Sequence, residues 1–483
     1  MSISTLYDRS DGLELARAIR EREVSAREVL DEAITRAERV NGYLNAITAR
    51  RYDDARVEAE RGTSSGPFGG VPFVAKDLGP PLAGLPMTMG SRYFAHYVPT
   101  EDHEFFRRVK RAGAIVFAKT TTPEFGLLPF TETVLFGATR NPWNLERTPG
   151  GSSGGSAALC AAGVVPIAHA NDMGGSIRIP ASCTGLFGLK PSRGATPTTG
   201  GLIGEANVDL AVSRSVRDSA AFFDAVRNGE GASTAEAAAR DPRPLRIAIA
   251  RGPMLGHGIS DEAREALDDA AALCASLGHT VIDDEPQGLD YGAAAYALLL
   301  MFASQVGWHL GAGNPTPQHR PRGDELEPVA SAMLAIARTI ALDELTTAVA
   351  VQRALMAAYD AFMDRYDVIL TPTLAAPPVR IGELALKRSE VMQIGVLTRV
   401  RAPSLIRKAA RDISARMFDW LPYTPVFNLT GQPAMSVPLH WTVDGLPVGV
   451  QFAGRTGDDA TLFALAGQLE RARPWFERRP PAL

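Results

Sequence analysis

The chain has 483 residues, 45% of them hydrophobic and 22% charged, and a formal net charge of −4. That size can bury a large core and a closed pocket, and the mild acidity provides no field that would gather nucleic acid. Three scattered cysteines, Cys160, Cys183 and Cys274, exclude a disulfide framework and a cysteine-based zinc site.

The first twenty residues lack a basic stretch followed by an apolar one, so no secretory leader is expected. Residues 12–60 read as helices, with apolar positions at three- and four-residue steps. Arg61–Gly70 is rich in Gly and Ser and reads as a break. Two short buried strands are expected next, at "VPFVA" and "GAIVFAK".

"LRIAIARG", "HTVIDD", "YDVILTPT" and "LPVGVQFAG" read as further strands. Between the first two lies a helical pattern with Ser260 as N-cap and Gly278 as C-cap. Alternating strands and helices predict a single α/β unit over 1–483, a sheet with helices on both faces. Residues 1–60 would be its helical start, followed by a core segment over 61–225 that holds the Gly- and Ser-rich stretches. Asn228–Pro244 and Gly311–Glu325 read as loops.

The most apolar run, Ala293–Ala303, has eleven residues, about half the ~20 a membrane span needs. A cytoplasmic protein without membrane partners is expected. Residues 380–416 hold nine Lys or Arg against three Asp or Glu. They read as a solvated helical face or, alternatively, as a lid over a pocket.

Two serine-rich stretches invite chemistry. "PGGSSGGSAA" (Pro149–Ala158) contains Gly-x-Ser-x-Gly twice, around Ser152 and Ser153. A nucleophile elbow needs a strand leading into the motif, but "RNPWNLERTPG" upstream is loop. No Gly-Lys-Ser/Thr follows, so a phosphate-binding loop fails too. In "HANDMGGSIRIPAS" (His169–Ser182), a strand runs into a glycine turn before Ser176. Consecutive N–H groups there would form an anion site, suited to the oxyanion of acyl transfer.

Two bases are open to Ser176. His169 with Asp172 would make a Ser-His-Asp triad, but His169 sits in the apolar approach strand. Lys76, after the run "GVPFVA", would be buried and its ammonium disfavoured. Lowering a lysine from about 10.4 to about 7 takes roughly 4.6 kcal/mol. The bland alternative is an ion pair between Lys76 and Asp77. For Cys183, near the serines, burial as a small hydrophobe is the expectation.

"GVPFVAKDL", "PGGSSGGSAA" and "NDMGGSIRIPAS", with "GATRNPWN", "GLFGLKPSRG" and "FNLTGQPAMSVPL…DGLPVGVQFAG", together resemble the amidase signature family of serine hydrolases. The resemblance spans nearly the whole chain and implies that family's twisted mixed β-sheet covered by helices. It also implies Ser176 as nucleophile, Ser152 as a relay serine after a cis peptide bond, and Lys76 as base. The N–H groups of Met173, Gly174, Gly175 and Ser176 would form the oxyanion hole. Ser153, Asp172 and Arg178 would support the turn, and Gly126, Leu128 and Ile179 would touch substrate.

No metal or organic cofactor is implied. The implied partner is a small amide, and a homodimer is the implied assembly. The sequence departs from the commonest family pattern at Ala170-Asn171, where many members read Gly-Thr. It departs again at Ile179, where amidase subunits of tRNA-dependent amidotransferases usually carry Gln. The apolar Ile179 and "FGLLPF" (Phe125–Phe130) favour an apolar or aryl substituent. The match also resembles hydrolases of nylon-type cyclic oligomers, with carbamates as a further expected substrate. The rivals are an amidotransferase subunit and a catalytically silent binding protein.

Overall fold

The computed structural model describes residues 2–62, 65–199, 206–311, 320–399 and 402–481. Its strands are β1 (Ile47–Arg50), β2 (Pro72–Lys76), β3 (Ile115–Thr120), β4 (Glu132–Thr133), β5 (Gly137–Ala138), β6 (Ile167–Asp172) and β7 (Phe187–Lys190). They continue with β8 (Val208–Ser213), β9 (Arg246–Ile249), β10 (Thr280–Asp283), β11 (Val368–Pro372), β12 (Ala434–Trp441) and β13 (Pro447–Gly454).

Eight strands form the main sheet, in the order β10-β9-β11-β13-β12-β7-β8-β6. The β10-β9-β11 end is parallel and the remaining pairings are antiparallel. Alternation along β13 shows how the sheet is covered. Val448, Val450 and Phe452 face a core that includes Leu267 of the helix Asp261–Ser276 and Leu462 and Phe463 of the helix Asp459–Ala472. Ala453 belongs to a second core, with Ile179 of the helix Arg178–Thr184 and Phe427 of the helix Thr424–Thr430.

β1, β3 and β2 form a separate three-stranded sheet. β2 packs beside β6, where the Lys76 N–H donates to His169 Nδ1 at 3.2 Å. The ends of these two strands therefore lie together.

All the expected strands form, with differences at several edges. The helical reading of 12–60 missed β1, whose four residues pair antiparallel with β3 between two helices. The run "HTVIDD" forms β10, an edge strand whose Thr280 and Asp283 are exposed. Ser260 caps its helix as expected, accepting from the Ala263 N–H, but Leu277 is the C-cap. Gly278 follows it at φ +89°, the position where a helix exit favours glycine. The break at Arg61–Gly70 and the loop Gly311–Glu325 lie partly outside the described residues.

Candidate active site

Lys76 ends β2 and is fully buried. Its Nζ lies 2.7 Å from Ser152 Oγ and 2.6 Å from Asn171 Oδ1. Burial lowers its pKa to about 7, against the upward pull of Asp209 and Asp172. Asp77 turns away: it accepts from Thr88 N–H and faces Lys119 Nζ at 3.6 Å. The expected alternative of a Lys76–Asp77 pair is thus replaced by two uncharged partners.

His169 is not placed as the base for a serine. Its Nδ1 accepts from the Lys76 N–H, so Nε2 carries the proton and faces Asp209 Oδ1 at 3.2 Å. Burial lowers its pKa. Asp172, the other member of that triad, is committed elsewhere.

Ser152 follows a cis Gly151–Ser152 peptide bond. Ser153 is buried beside it, and its hydroxyl donates to the Asn171 carbonyl at 3.4 Å. The helix Gly154–Ala161 then leads away. Upstream, Thr131 Oγ1 donates to the Gly150 carbonyl at 2.9 Å and fixes the loop.

The second serine sits on a turn built around Asp172. This carboxylate accepts from Gly175 N–H (2.7 Å), Ile177 N–H (3.2 Å), Arg178 Nε and Nη2 (both 2.9 Å) and Asn428 Nδ2 (2.9 Å). Burial alone would raise its pKa, but Arg178 outweighs that and holds it at about 2. Arg178 is itself fully buried, donating also to Thr424 O, Gln451 Oε1 and Asn428 Oδ1 at 2.8, 2.7 and 2.6 Å. Removing one partner of such a pair costs about 3–5 kcal/mol.

Gly175 has φ +126°, and a Cβ there would fall 2.3 Å from Thr424 Oγ1. Only glycine fits this corner. The donor set expected for an oxyanion loses one member here, since Gly175 N–H is spent on Asp172. Among the described residues, the N–H groups of Met173, Gly174 and Ser176 donate to no protein backbone or side chain.

Ser152 and Ser176 both line one cavity of about 320 Å³. Gly126, Leu128 and Ile179 line it too, with Met173 and Gly174 of the turn. Most of the wall is apolar: Met87, Met89, Phe125, Phe302, Val306, Trp308 and Phe418. No Asp, Glu, Lys or Arg is among the described lining residues. His309 also lines the cavity, and burial lowers its pKa to about 4, so it is neutral at pH 7. Phe302, Val306, Trp308 and His309 come from the helix Tyr291–His309, which contains the apolar run noted above. No helix among the described residues is long and apolar enough to cross a membrane.

Residues 380–416 contain the helices Arg388–Arg399 and Pro403–Ser414, with 400 and 401 outside the described residues. Ile406 and Ala410 are buried against Leu299 and Val306 of the helix Tyr291–His309. The described part of this segment contributes no lining residue, whereas Met417, Phe418 and Leu421 just after it do.

The Amidase family model matches residues 28–463. The chain belongs to the Amidase family. AmiB2 of Mycobacterium tuberculosis (strain ATCC 25618 / H37Rv) is 39% identical over 481 residues, covering 96% of each chain. A solved structure of 6-aminohexanoate cyclic dimer hydrolase complexed with substrate superposes with a TM-score of 0.86 at 30% identity, over 99% of both chains. A bacterial aryl acylamidase of the amidase signature enzymes superposes at 0.84, with 25% identity over 98% of both. The mixed sheet flanked by helices is thus that of the amidase signature enzymes, and this amidase is an amide hydrolase by class.

The supporting partners Asn171, Thr424, Asn428 and Gln451 were not assigned from sequence. Three of them lie about 250 or more positions from Arg178. For Asn428 and Gln451 the signal available was their presence in the C-terminal segments "FNLTGQPAMSVPL" and "LPVGVQFAG".

Proposed function

We propose that this amidase hydrolyses uncharged carboxamides, linear or cyclic, with apolar or aryl substituents, through an acyl-enzyme on Ser176. Neutral Lys76 takes the proton of Ser152 as Ser152 takes that of Ser176, whose oxygen attacks the carbonyl carbon. The oxyanion meets N–H groups of Met173, Gly174 and Ser176, each such donor worth about 3–4 kcal/mol in the transition state. The C–N bond breaks as the proton returns through Ser152 to the departing amine. Water, deprotonated by the same relay, then cleaves the ester and restores Ser176.

The observation carrying this reading is the 2.7 Å approach of buried Lys76 Nζ to Ser152 Oγ in a cavity that Ser176 also lines. Ser176 Oγ makes no hydrogen bond to Ser152 among the described residues, a looseness common before substrate binds. The uncharged wall favours neutral substrates, because an unpaired charge would lose its hydration there.

Similarity to a cyclic dimer hydrolase and an aryl acylamidase makes lactam dimers and anilides the first substrates to test. Carbamates and esters would follow as side activities. A hydrolysis screen over these classes, with aliphatic and charged amides included, decides the reading. Turnover of neutral apolar amides is expected, and turnover of charged amides alone would contradict it.

A further inference from the structure

Among the described residues, Lys76 Nζ has two hydrogen-bond partners, and only one belongs to the proton relay. The other is Asn171, the penultimate residue of β6, whose Oδ1 lies 2.6 Å away. The orientation of this amide is fixed from its far side, where Nδ2 donates to the Leu78 carbonyl at 3.0 Å. Oxygen therefore faces the lysine. The neighbouring loop is shaped around the same group: Gly79 has φ +114°, and a Cβ there would fall 2.3 Å from Asn171 Nδ2.

We propose that Asn171 is a positioning residue for the base, holding one N–H of neutral Lys76 so that the amine lone pair faces the Ser152 hydroxyl. The inference rests on reading Lys76 as the base. A neutral primary amine has two N–H groups and one lone pair, and it rotates freely about its Cε–Nζ bond unless an N–H is held. A side-chain carbonyl oxygen can only accept, so it never competes for the lone pair. A hydroxyl in its place could donate to the nitrogen and occupy that pair.

The absence of charge on Asn171 matters equally. A carboxylate at 2.6 Å would favour the ammonium and disable the base near neutrality. Asp209 and Asp172 already pull in that direction, and burial wins. The other ionisable groups packed around Lys76 are paired among themselves: His169 with Asp209, and Lys119 with Asp77. The amide thus orients the amine without adding to the charge that acts on it.

The test is the second-order rate of labelling by a fluorophosphonate between about pH 5 and pH 10. It compares wild type, Asn171→Asp, Asn171→Ala, Asn171→Ser and Lys76→Ala, each checked for folding by thermal melting. Asn171→Asp should move the acid-side midpoint up by about one pH unit or more, lowering labelling at pH 7 about fivefold or more, with recovery above pH 9. Asn171→Ala removes an acceptor from the ammonium, so its midpoint should move down while its plateau falls about tenfold. Should the Asp variant fail to fold, the downward shift in Asn171→Ala carries the test, and the lowered plateau in Asn171→Ser is read only beside it. Wild-type midpoints in every folded Asn171 variant would overturn the proposal, even with reduced plateaus. Full labelling of Lys76→Ala would instead overturn the base assignment itself.

Discussion

Two fully buried lysines on adjacent strands of one small sheet meet opposite fates. Lys76 on β2 is met by the neutral Ser152 and Asn171, while Lys119 on β3 faces the carboxylate of Asp77. Burial lowers both pKa values, and for Lys119 the nearby Asp77 opposes that shift. Burial alone therefore does not make a base. Burial with uncharged hydrogen-bond partners, where desolvation outweighs the pull of Asp209 and Asp172, is what fits Lys76 for the proposed role of base.

The largest effects should fall on the first lysine's side. Ser176→Ala should abolish turnover, and Lys76→Ala should lower kcat/KM by roughly 10³-fold or more at pH 7, as loss of a unit in a catalytic relay does. Near-normal kcat/KM for Lys76→Ala would erase the distinction between the lysines.

Stability should separate them next, with opposite signs. Lys119→Met leaves Asp77 buried without its cation, costing about 3–5 kcal/mol, measured as a lower Tm or denaturant midpoint. Lys76→Met should do the reverse. With the native pKa of Lys76 lowered to about 7, the unfolded chain binds the extra proton more readily. That cost to folding is fully present below pH 7 and fades as the pH rises toward the unfolded lysine value. The substitution should therefore stabilise by up to roughly 5 kcal/mol in acid and by little above about pH 10. Stabilisation that does not vary with pH would sink this account.

Activity should follow the same titration. The wild-type profile should fall below about pH 7 as Lys76 protonates, whereas Lys119→Met, where folded, should keep that midpoint. The smallest effect concerns the wall: a Cβ on Gly126 would come within 3.0 Å of Ser152 Oγ and 2.6 Å of Leu78. Gly126→Ala should lower kcat several-fold by displacing Ser152, and its φ of +69° should cost about 1–2 kcal/mol of stability as well.

How legible this was in the sequence follows from the range of each interaction. Lys76 at a strand end, the Gly-Ser loop and the glycine turn before Ser176 are local patterns, readable from residue types and spacing. So was the α/β alternation. β1 escaped because a four-residue strand has no pattern of its own and depends on β3 for pairing. Asn428 and Gln451 escaped because only the folded sheet brings them to Arg178. In the sequence the apolar run Ala293–Ala303 registers only as too short for a membrane span, yet its helix continues to His309 along the cavity. Periodicity cannot report that one face of a helix borders an opening.

The central claim is that Ser176 is the nucleophile and that neutral Lys76 activates it through Ser152. Peptide mapping of the fluorophosphonate adduct across the pH range, in wild type and Lys76→Ala, tests it most directly. The account predicts an adduct on Ser176 whose rate of formation rises with a midpoint near pH 7 and collapses in Lys76→Ala. An adduct on Ser152, or equal labelling of Ser176 without Lys76, would contradict it.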